Sequence, residues 1–457
     1  MFEKVLIANR GEIAVRVARA CREMGITSVA VCSTVDHDSL ATRYADESVH
    51  IGPPPARRSY LYIPNIIEAA LRCGVDAIHP GYGFLSEDPD FAQVCADNGI
   101  TFIGPRPDVM ECVANKARVR SLMVDAGLPV LPGSDGAVRT LAEAEQVADE
   151  VGYPVVVKAS AGGGGRGIAI ARERTDLPDV YRKTTALAQN LFGNGEVYLE
   201  HYLDRARHVE IQVLCDGYGN AVHLGERDCS LQRRNQKLVE ESPSAGLPAR
   251  LRDDLGRYAL AGARGVGYTG AGTMEFLVDD GDDVTFMEIN GRIQVEHPVT
   301  EMVSGIDLVR QQIRVAAGEP LGFGQQDVTL TGAAIECRVN AEDPAADFRP
   351  TPGHLDVFRP PSGPWTRVDS GFEEGDSVSP YYDSLLAKVI VWAPSRDEAI
   401  ARADRALGEF AVEGRGMSTT IPLVRRLLAH PAFVKGEHTT RFVDSFLSGR
   451  ATTPGGH

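Results

Sequence analysis

Two glutamates, Glu275 and Glu288, sit on apolar runs that a turn-rich stretch separates. The runs are Thr273-Met-Glu-Phe-Leu-Val278 and Val284-Thr-Phe-Met-Glu-Ile289, and the stretch is Asp279-Asp-Gly-Asp-Asp283. Two short β-type runs joined in this way predict a hairpin. Folded symmetrically about the midpoint between Gly281 and Asp282, it sets the glutamates directly opposite each other, with Cβ atoms roughly 4.5–5.5 Å apart. Paired carboxylates beside Phe276, Phe286 and Met287 repel unless a positive charge lies between them. A hard divalent cation such as Mg²⁺ supplies one.

The chain continues Glu288-Ile-Asn-Gly-Arg-Ile-Gln-Val-Glu-His297. In an extended segment this alternation puts Glu288, Asn290, Arg292, Gln294 and Glu296 on one face. That order of residue types reads as metal ligands, an anion-binding arginine and then a base. A solvated strand face with its apolar side in the core explains the same alternation. The paired glutamates and the segments below tip the balance toward chemistry.

Val155-Val-Val-Lys-Ala-Ser-Ala-Gly-Gly-Gly-Gly-Arg-Gly-Ile-Ala-Ile170 reads as strand, glycine-rich loop and strand. Gly162, Gly163, Gly164 and Gly165 free their N–H groups to wrap an anion. The chain has no G-x-x-x-x-G-K-[S/T], and the loop leads into a strand, so this is not a Walker A loop. It suits a flap over nucleotide phosphates, or a flexible surface hairpin, and Lys158 just before it can reach a phosphate as a point charge. Other stretches decide less by themselves. Lys116 opens a helical stretch and alone reads as a surface lysine. Arg207–Val213 has period two, with His208, Glu210 and Gln212 on one face and Val209, Ile211 and Val213 inward. Gly225–Lys237 is dense in hydrogen-bonding groups and alone reads as an exposed loop. Arg338, on the polar face of Ile335–Asn340, alone reads as a surface salt bridge.

The scaffold that must position these residues divides into three units. Residues 1–113 alternate strands (Lys4–Ala8, Ser28–Cys32, Ala77–His79, Thr101–Ile103) with helices (Gly11–Met24, Ile63–Arg72, Phe91–Ala96). This implies a mostly parallel sheet, which binds ligands beyond its strand C-termini, where His79-Pro-Gly-Tyr-Gly-Phe-Leu85 lies. Residues 114–330 carry most of the segments above, with Pro129–Gly136 leading into a small subdomain at about 131–203. Residues 331–447 combine β-like segments (Ala333–Val339, Leu385–Trp392) with a helix (Arg396–Phe410), and 448–457 read as a disordered tail. The predicted fold class is multidomain, α/β and α+β.

Composition narrows the function classes. A chain of 457 residues is too long for one simple core. A net charge of -16 argues against nucleic acid or an anionic membrane as main partner. No apolar run nears the roughly 18 residues of a membrane span, and the N-terminal run is too short for a signal peptide. Eight scattered cysteines without a C-x-x-C read as reduced thiols in a cytoplasmic protein.

Together the segments resemble the biotin carboxylases of the ATP-grasp superfamily, from about Lys4 to about Phe442. The resemblance is carried by Ile7-Ala-Asn-Arg-Gly-Glu-Ile-Ala14, His79-Pro-Gly-Tyr-Gly-Phe-Leu-Ser-Glu87, Lys158–Gly167, Glu226-Arg-Asp-Cys-Ser230 and Arg292-Ile-Gln-Val-Glu-His-Pro-Val-Thr-Glu301. It implies a preATP-grasp domain, an ATP-grasp domain with a mobile lid, and a C-terminal domain. It implies ATP phosphates held by Lys116, Lys158 and Gly162–Gly165. Glu200 and Leu203 would border the adenine, with His208 and Gln232 near the ribose, and His201, Asn235, Gln236 and Leu277 would add to the nucleotide site. Glu275, Glu288 and Asn290 would bind Mg²⁺ (or Mn²⁺). Lys237, Arg292, Gln294 and Val295 would hold bicarbonate, Glu296 would be the base, and Tyr82 and Arg338 would meet biotin. The chain departs from the usual pattern at Asn235 (for His), His201 (for Lys), Ala161 (for Gly) and Gly291 (for Thr or Ser).

The resemblance further implies ATP-dependent carboxylation of biotin through carboxyphosphate, in an acetyl-CoA or related acyl-CoA carboxylase. Propionyl-CoA, pyruvate or urea carboxylases use the same half-reaction, and a non-catalytic regulator would be expected to lack Glu275, Glu288 or Glu296. The chain has no Met-Lys-Met biotinylation segment, so biotin is expected on a separate carrier protein or elsewhere in a longer polypeptide. The other expected partnerships are a homodimer and a carboxyltransferase subunit.

Overall fold

Strand–helix alternation in the first hundred residues gives a parallel sheet, because each helix carries the chain back across it. In this computed structural model β1 (Lys4–Ile7), β2 (Thr27–Ser33), β3 (Glu47–Gly52), β4 (Ala77–His79) and β5 (Thr101–Phe102) form a five-stranded sheet in the order β3-β2-β1-β4-β5. All four pairings are parallel. The structure describes residues 1–160 and 167–449, apart from the side chains of Ala117 and Phe192. The flap positions Ala161, Gly162, Gly163, Gly164 and Gly165, and the expected tail from 450 onward, lie outside the described residues.

The sequence pattern misses β3. It is an edge strand that buries only Val49 and Ile51, too few apolar residues to stand out. Beyond β1 and β4 the chain forms the loops that matter for the site. Asn9 Nδ2 donates to the carbonyls of Pro80 at 2.6 Å and Tyr82 at 2.8 Å, which clamps the Tyr82 loop. Gly81 is obligatory there: its φ is +62°, and an added Cβ would stand 2.8 Å from Asn9 Nδ2.

β6 (Val155–Ala159), β7 (Ile168–Ala171) and β8 (Val197–His201) make a small antiparallel sheet in the order β7-β6-β8. The helices Leu141–Val151 and Leu177–Phe192 cover it, packing Ala144, Ala148, Leu177 and Tyr181 on Val155, Val157 and Leu199.

The largest sheet is antiparallel throughout and has eight strands. Its members include β9 (Ala206–Cys215), β10 (Ala221–Arg233), β11 (Gln236–Ser242), β12 (Gly270–Asp279), β13 (Val284–Asn290) and β14 (Ala333–Asn340). The order is β13-β12-β9-β10-β11-β14, followed by strands Leu385–Ala393 and Thr366–Ser370. The β11–β14 ladder runs Val239–Cys337, Glu240–Glu336, Glu241–Ile335 and Ser242–Ala334, so residues on both sides of position 330 belong to one sheet.

Two sequence expectations change. Gly225–Lys237 is not an exposed loop, since most of it lies on β10, where Arg227, Asp228, Cys229 and Ser230 are buried. Its polar groups find partners on neighbouring strands, so little hydrophobic patterning is needed to bury them. The polar face from Glu288 to Glu296 is not one strand. β13 stops at Asn290, and Pro298 in the first turn starts a helix, His297–Ser304, with Glu296 at its N-cap position.

One contact between units invites a stability test. A Cβ on Gly371 would lie 2.6 Å from the Cα and carbonyl carbon of Gly11 and 2.8 Å from the Glu12 nitrogen. These are backbone atoms that cannot swing aside. Gly371→Ala is expected to destabilise the protein by about 1–3 kcal/mol, as overpacking does. An unchanged thermal midpoint would show that this junction is looser than described.

Candidate active site

Strand register lays ionisable residues in a row across the large sheet. Glu288 pairs with Glu275, Glu275 with Glu210, and Glu210 with Arg227. The first pairing is the one the sequence suggests, reached by a different route. Val278–Val284, Leu277–Thr285 and Phe276–Phe286 turn about Gly281, and an irregularity at Met287 adds the residue that brings Glu288 opposite Glu275. A β-bulge, not a symmetric hairpin, sets the pair.

Glu275 is buried and fully engaged. Its Oε1 accepts from Asn290 Nδ2 at 2.7 Å and Gln294 Nε2 at 2.9 Å, and its Oε2 lies 2.9 Å from His208 Nε2. Burial works to raise its pKa, but Lys237 and His208 outweigh burial and hold the carboxylate ionised. Burial likewise opposes the charge on His208, yet Glu275 keeps its pKa raised. Lys116 is not an isolated surface lysine: Nζ lies 3.2 Å from Glu288 Oε2. A cavity of about 330 Å³ opens beside Lys116, Glu288, Asn290, Arg292 and Glu87.

Arg227 is the functional-region residue that sequence reasoning missed. It is fully buried, with Nε 2.5 Å from Glu210 Oε1 and one terminal nitrogen 2.7 Å from Gln212 Oε1 and 3.0 Å from Thr300 Oγ1. The other is 3.2 Å from Thr273 Oγ1. Its signal in the sequence was faint: an arginine at the position that pairs with Glu210 once β9 and β10 are in register.

Glu296, 1% exposed, is the centre of the opposite wall. Lys237 Nζ closely contacts its Oε1, and Arg338 donates to its Oε2 at 2.9 Å. Lys237 also reaches Glu210 Oε2 at 2.7 Å and Gln294 Oε1 at 3.4 Å. Burial would raise the pKa of Glu296, but Lys237, Arg338 and Arg227 hold it well below the usual carboxylate range. Arg338 is no ordinary surface salt bridge, because its Nε also donates to the buried Glu240 at 2.6 Å. Glu240 is the converse case. Burial pushes it up to about 7, against the pull of Arg338 and with the repulsion of Glu296.

Other predicted site residues gather less tightly. Arg292 turns to Glu87 at 2.9 Å and Asn290 at 3.2 Å. The Tyr82 hydroxyl donates to Glu12 at 2.5 Å, and Tyr82 lines a cavity of about 340 Å³ with Asn9, Arg10, Glu12, Tyr381 and Asp383. In the small sheet Lys158 Nζ meets Glu200 at 2.5 Å, and His201 Nδ1 meets the Gly152 carbonyl at 3.2 Å. Leu203 follows β8, and Leu277 pairs with His208 across β12 and β9. Gln232 pairs with Lys237 across β10 and β11, while Asn235 sits exposed at the turn between those strands and Gln236 is exposed at the start of β11.

The chain that buries Glu296 between Lys237 and Arg338, and sets Glu275 opposite Glu288, matches known proteins along nearly its whole length. Residues 1–110 match the family described as biotin carboxylase, N-terminal domain. Residues 115–323 match the carbamoyl-phosphate synthase L chain, ATP binding domain, and 336–445 the biotin carboxylase C-terminal domain. Biotin carboxylase 1 of Bacillus subtilis is 52% identical over 98% of this chain and 99% of its own. The chain belongs to the biotin carboxylase family. The chloroplastic biotin carboxylase of Arabidopsis thaliana is 50% identical over 96% of this chain and 82% of its own. The biotin carboxylase domain of the Hydrogenobacter thermophilus 2-oxoglutarate carboxylase, a dimer solved with MgADP, ADP and bicarbonate, superposes with a TM-score of 0.95 at 46% identity. That match covers 99% of each chain.

The biotin carboxylase site carries a pH signature in Glu240. Folded, Glu240 keeps its proton to about 7, against 4.5 for an unperturbed glutamate. Between these values the folded state binds the extra proton, so this contribution is full below the lower value and is lost as pH rises through the upper one. Glu240→Gln, permanently neutral, escapes that loss. Its thermal midpoint is therefore expected to gain on that of the unmodified protein between about pH 5.5 and about pH 8. A gap independent of pH would show that Glu240 is ionised throughout.

Proposed function

We propose that this chain catalyses ATP-dependent carboxylation of protein-borne biotin with bicarbonate, the first half-reaction of an acyl-CoA carboxylase. The observation that carries this reading is Glu296: a buried, ionised base flanked by Lys237 and Arg338, with Gln294 and Lys237 reaching from it toward the carboxylate row.

The donor set fits a hard divalent cation. Glu275 is held ionised, Glu288 stands opposite it, and Asn290 is tied to Glu275. Bound there, Mg²⁺ would neutralise charge on the transferring phosphate. Lys116 and Lys158 would add positive charge to the ATP phosphates, and the cavity beside Lys116 and Arg292 has room for them.

Lys237, Arg292, Gln294 and the Val295 N–H would hold bicarbonate against Glu296. Glu296 takes the bicarbonate proton, and the resulting oxyanion attacks the γ-phosphorus, releasing ADP and forming carboxyphosphate. Carboxyphosphate breaks into CO₂ and phosphate. The phosphate removes the N1′ proton of biotin, and the enolate bonds to CO₂ at N1′. Arg338 stabilises that enolate. The ion pairs suggest the timing: once protonated, Glu296 pulls less on Arg338 and frees the guanidinium to face the biotin ring. Tyr82 and its cavity would receive that ring.

We also propose a biotinylated carrier and a carboxyltransferase as partners, a homodimer as the assembly, and the cytoplasm as the location. No helix among the described residues is long and apolar enough to cross a membrane, and all eight cysteines are free. The half-reaction is common to carboxylases of different acceptors, and the acceptor is chosen by the carboxyltransferase.

The test is bicarbonate-dependent ADP release from Mg-ATP, with and without free biotin. Biotin is expected to stimulate turnover, and Glu296→Gln to lower the stimulated rate about 100-fold or more, the scale of general base catalysis. Undiminished turnover in Glu296→Gln would remove the base from this role. ATP cleavage indifferent to biotin would remove the acceptor.

A further inference from the structure

Behind the Gln294–Glu296 segment lies a lysine that the reaction scheme leaves unused. Lys388 is fully buried on strand Leu385–Ala393, and its Nζ donates to the Val295 carbonyl at 2.7 Å. That carbonyl shares a peptide group with the Glu296 nitrogen. The preceding peptide is held as well: His297 Nδ1 lies 2.7 Å from the Gln294 carbonyl, while its Nε2 has no hydrogen-bond partner. A carbonyl only accepts, so His297 carries its proton on Nδ1. Two successive peptide groups, those that carry the Val295 and Glu296 nitrogens, are thus held by their carbonyls.

The ammonium is itself fixed from the N-terminal unit. Glu12 Oε1 lies 3.0 Å from Lys388 Nζ and 2.5 Å from the Tyr82 hydroxyl, so one carboxylate oxygen joins the Tyr82 loop to the lysine. The other acids around Lys388 are accounted for. Asp369, its neighbour across the ladder, is held by Arg367 at 2.7 Å. Both oxygens of the buried Glu336 lack hydrogen-bond partners, and burial pushes its pKa well up. Burial pushes the pKa of Glu12 up as well, with Lys388 pulling against it. Among the described residues Glu12 is the acid in direct contact with the Lys388 ammonium, and that contact locates it.

We propose that Lys388 is a positioning residue for bicarbonate: through the Val295 carbonyl it sets the orientation of the Gln294–Glu296 segment, and Glu12 and Tyr82 lock it from the N-terminal unit. This inference rests on the reading of that segment as the bicarbonate site. It brings three parts of the chain to one ammonium: the helix Gly11–Glu23, the segment before helix His297–Ser304, and strand Leu385–Ala393.

Lys388→Met alone would strand Glu12, so the decisive variant pairs Lys388→Met with Glu12→Gln, removing both charges together. The readouts are the bicarbonate KM in biotin-stimulated ADP release and, separately, Mg-ADP affinity by calorimetry. The paired variant is expected to raise the bicarbonate KM about tenfold or more, the scale of one lost charge-assisted hydrogen bond. Mg-ADP affinity should stay within about twofold, a split that general loosening of the fold would not produce. Glu12→Gln alone keeps the lysine–carbonyl bond but takes away the contact that locates Lys388, so it should raise the bicarbonate KM by clearly less than the paired variant does. A bicarbonate KM unchanged in the paired variant, or raised equally by Glu12→Gln alone, overturns the role of Lys388. An unmodified protein whose ATP cleavage ignores bicarbonate defeats the bicarbonate reading itself, and this inference with it.

Discussion

One ammonium group organises the centre of this protein. Lys237 Nζ is in hydrogen-bonding range of Glu210, Gln294 and Glu296, and lies 3.6 Å from Glu275. Three buried carboxylates from three separate parts of the chain converge on it. Without that charge, and without Arg227 behind it, their mutual repulsion and desolvation would be prohibitive. Such a cluster is a poor source of net stability, since burying ions costs about what their attraction returns. What it supplies is fixed geometry: Glu275 and Glu296 are held ionised, and all three acids are aimed, before any substrate arrives, which is the condition for electrostatic catalysis.

The continuity of the large sheet follows from the same constraint. Arg338 must reach Glu296 from β14, so β14 has to hydrogen-bond directly to β11, which carries Lys237 and Glu240. A flexible linker at that point would let the two cations drift relative to the base. The N-terminal unit is tied in by other means, through Glu12 to Lys388 and through the backbone contact of Gly371 on Gly11. The small sheet carrying Lys158 and Glu200 is a separate layer with its own core.

What the sequence makes legible follows the physics of burial. Strands and helices that bury a regular apolar face, such as β1, β2 and the helix Gly11–Glu23, are plain from periodicity. The Glu275–Glu288 pair is plain because both flanking runs are apolar. β10 is not, because its buried Arg227 is satisfied by Glu210, Gln212, Thr273 and Thr300, which lie on other elements 15 to 73 residues away. Lys116 and Arg338 are opaque for the same reason, their partners Glu288 and Glu240 being 172 and 98 residues distant. The bulge at Met287 leaves no local mark at all.

Two of the departures from the usual family pattern, Asn235 and His201, lie away from the carboxylate row. Asn235 sits at an exposed turn with φ +67°, next to Arg234 at +48°, a backbone that asparagine adopts more readily than most side chains. His201 spends a ring nitrogen on the Gly152 carbonyl, within the small sheet's own layer. A Cβ on Gly291 would meet nothing nearer than Pro105 at 3.5 Å, so glycine there relieves no crowding and only frees the chain between Asn290 and Arg292. At an exposed turn, water can replace a lost contact. In the buried row of Glu275, Glu210 and Arg227 a change to any one of them would leave its neighbours without that partner. Tolerance to substitution should therefore rise steeply from the carboxylate row outward to the exposed turns.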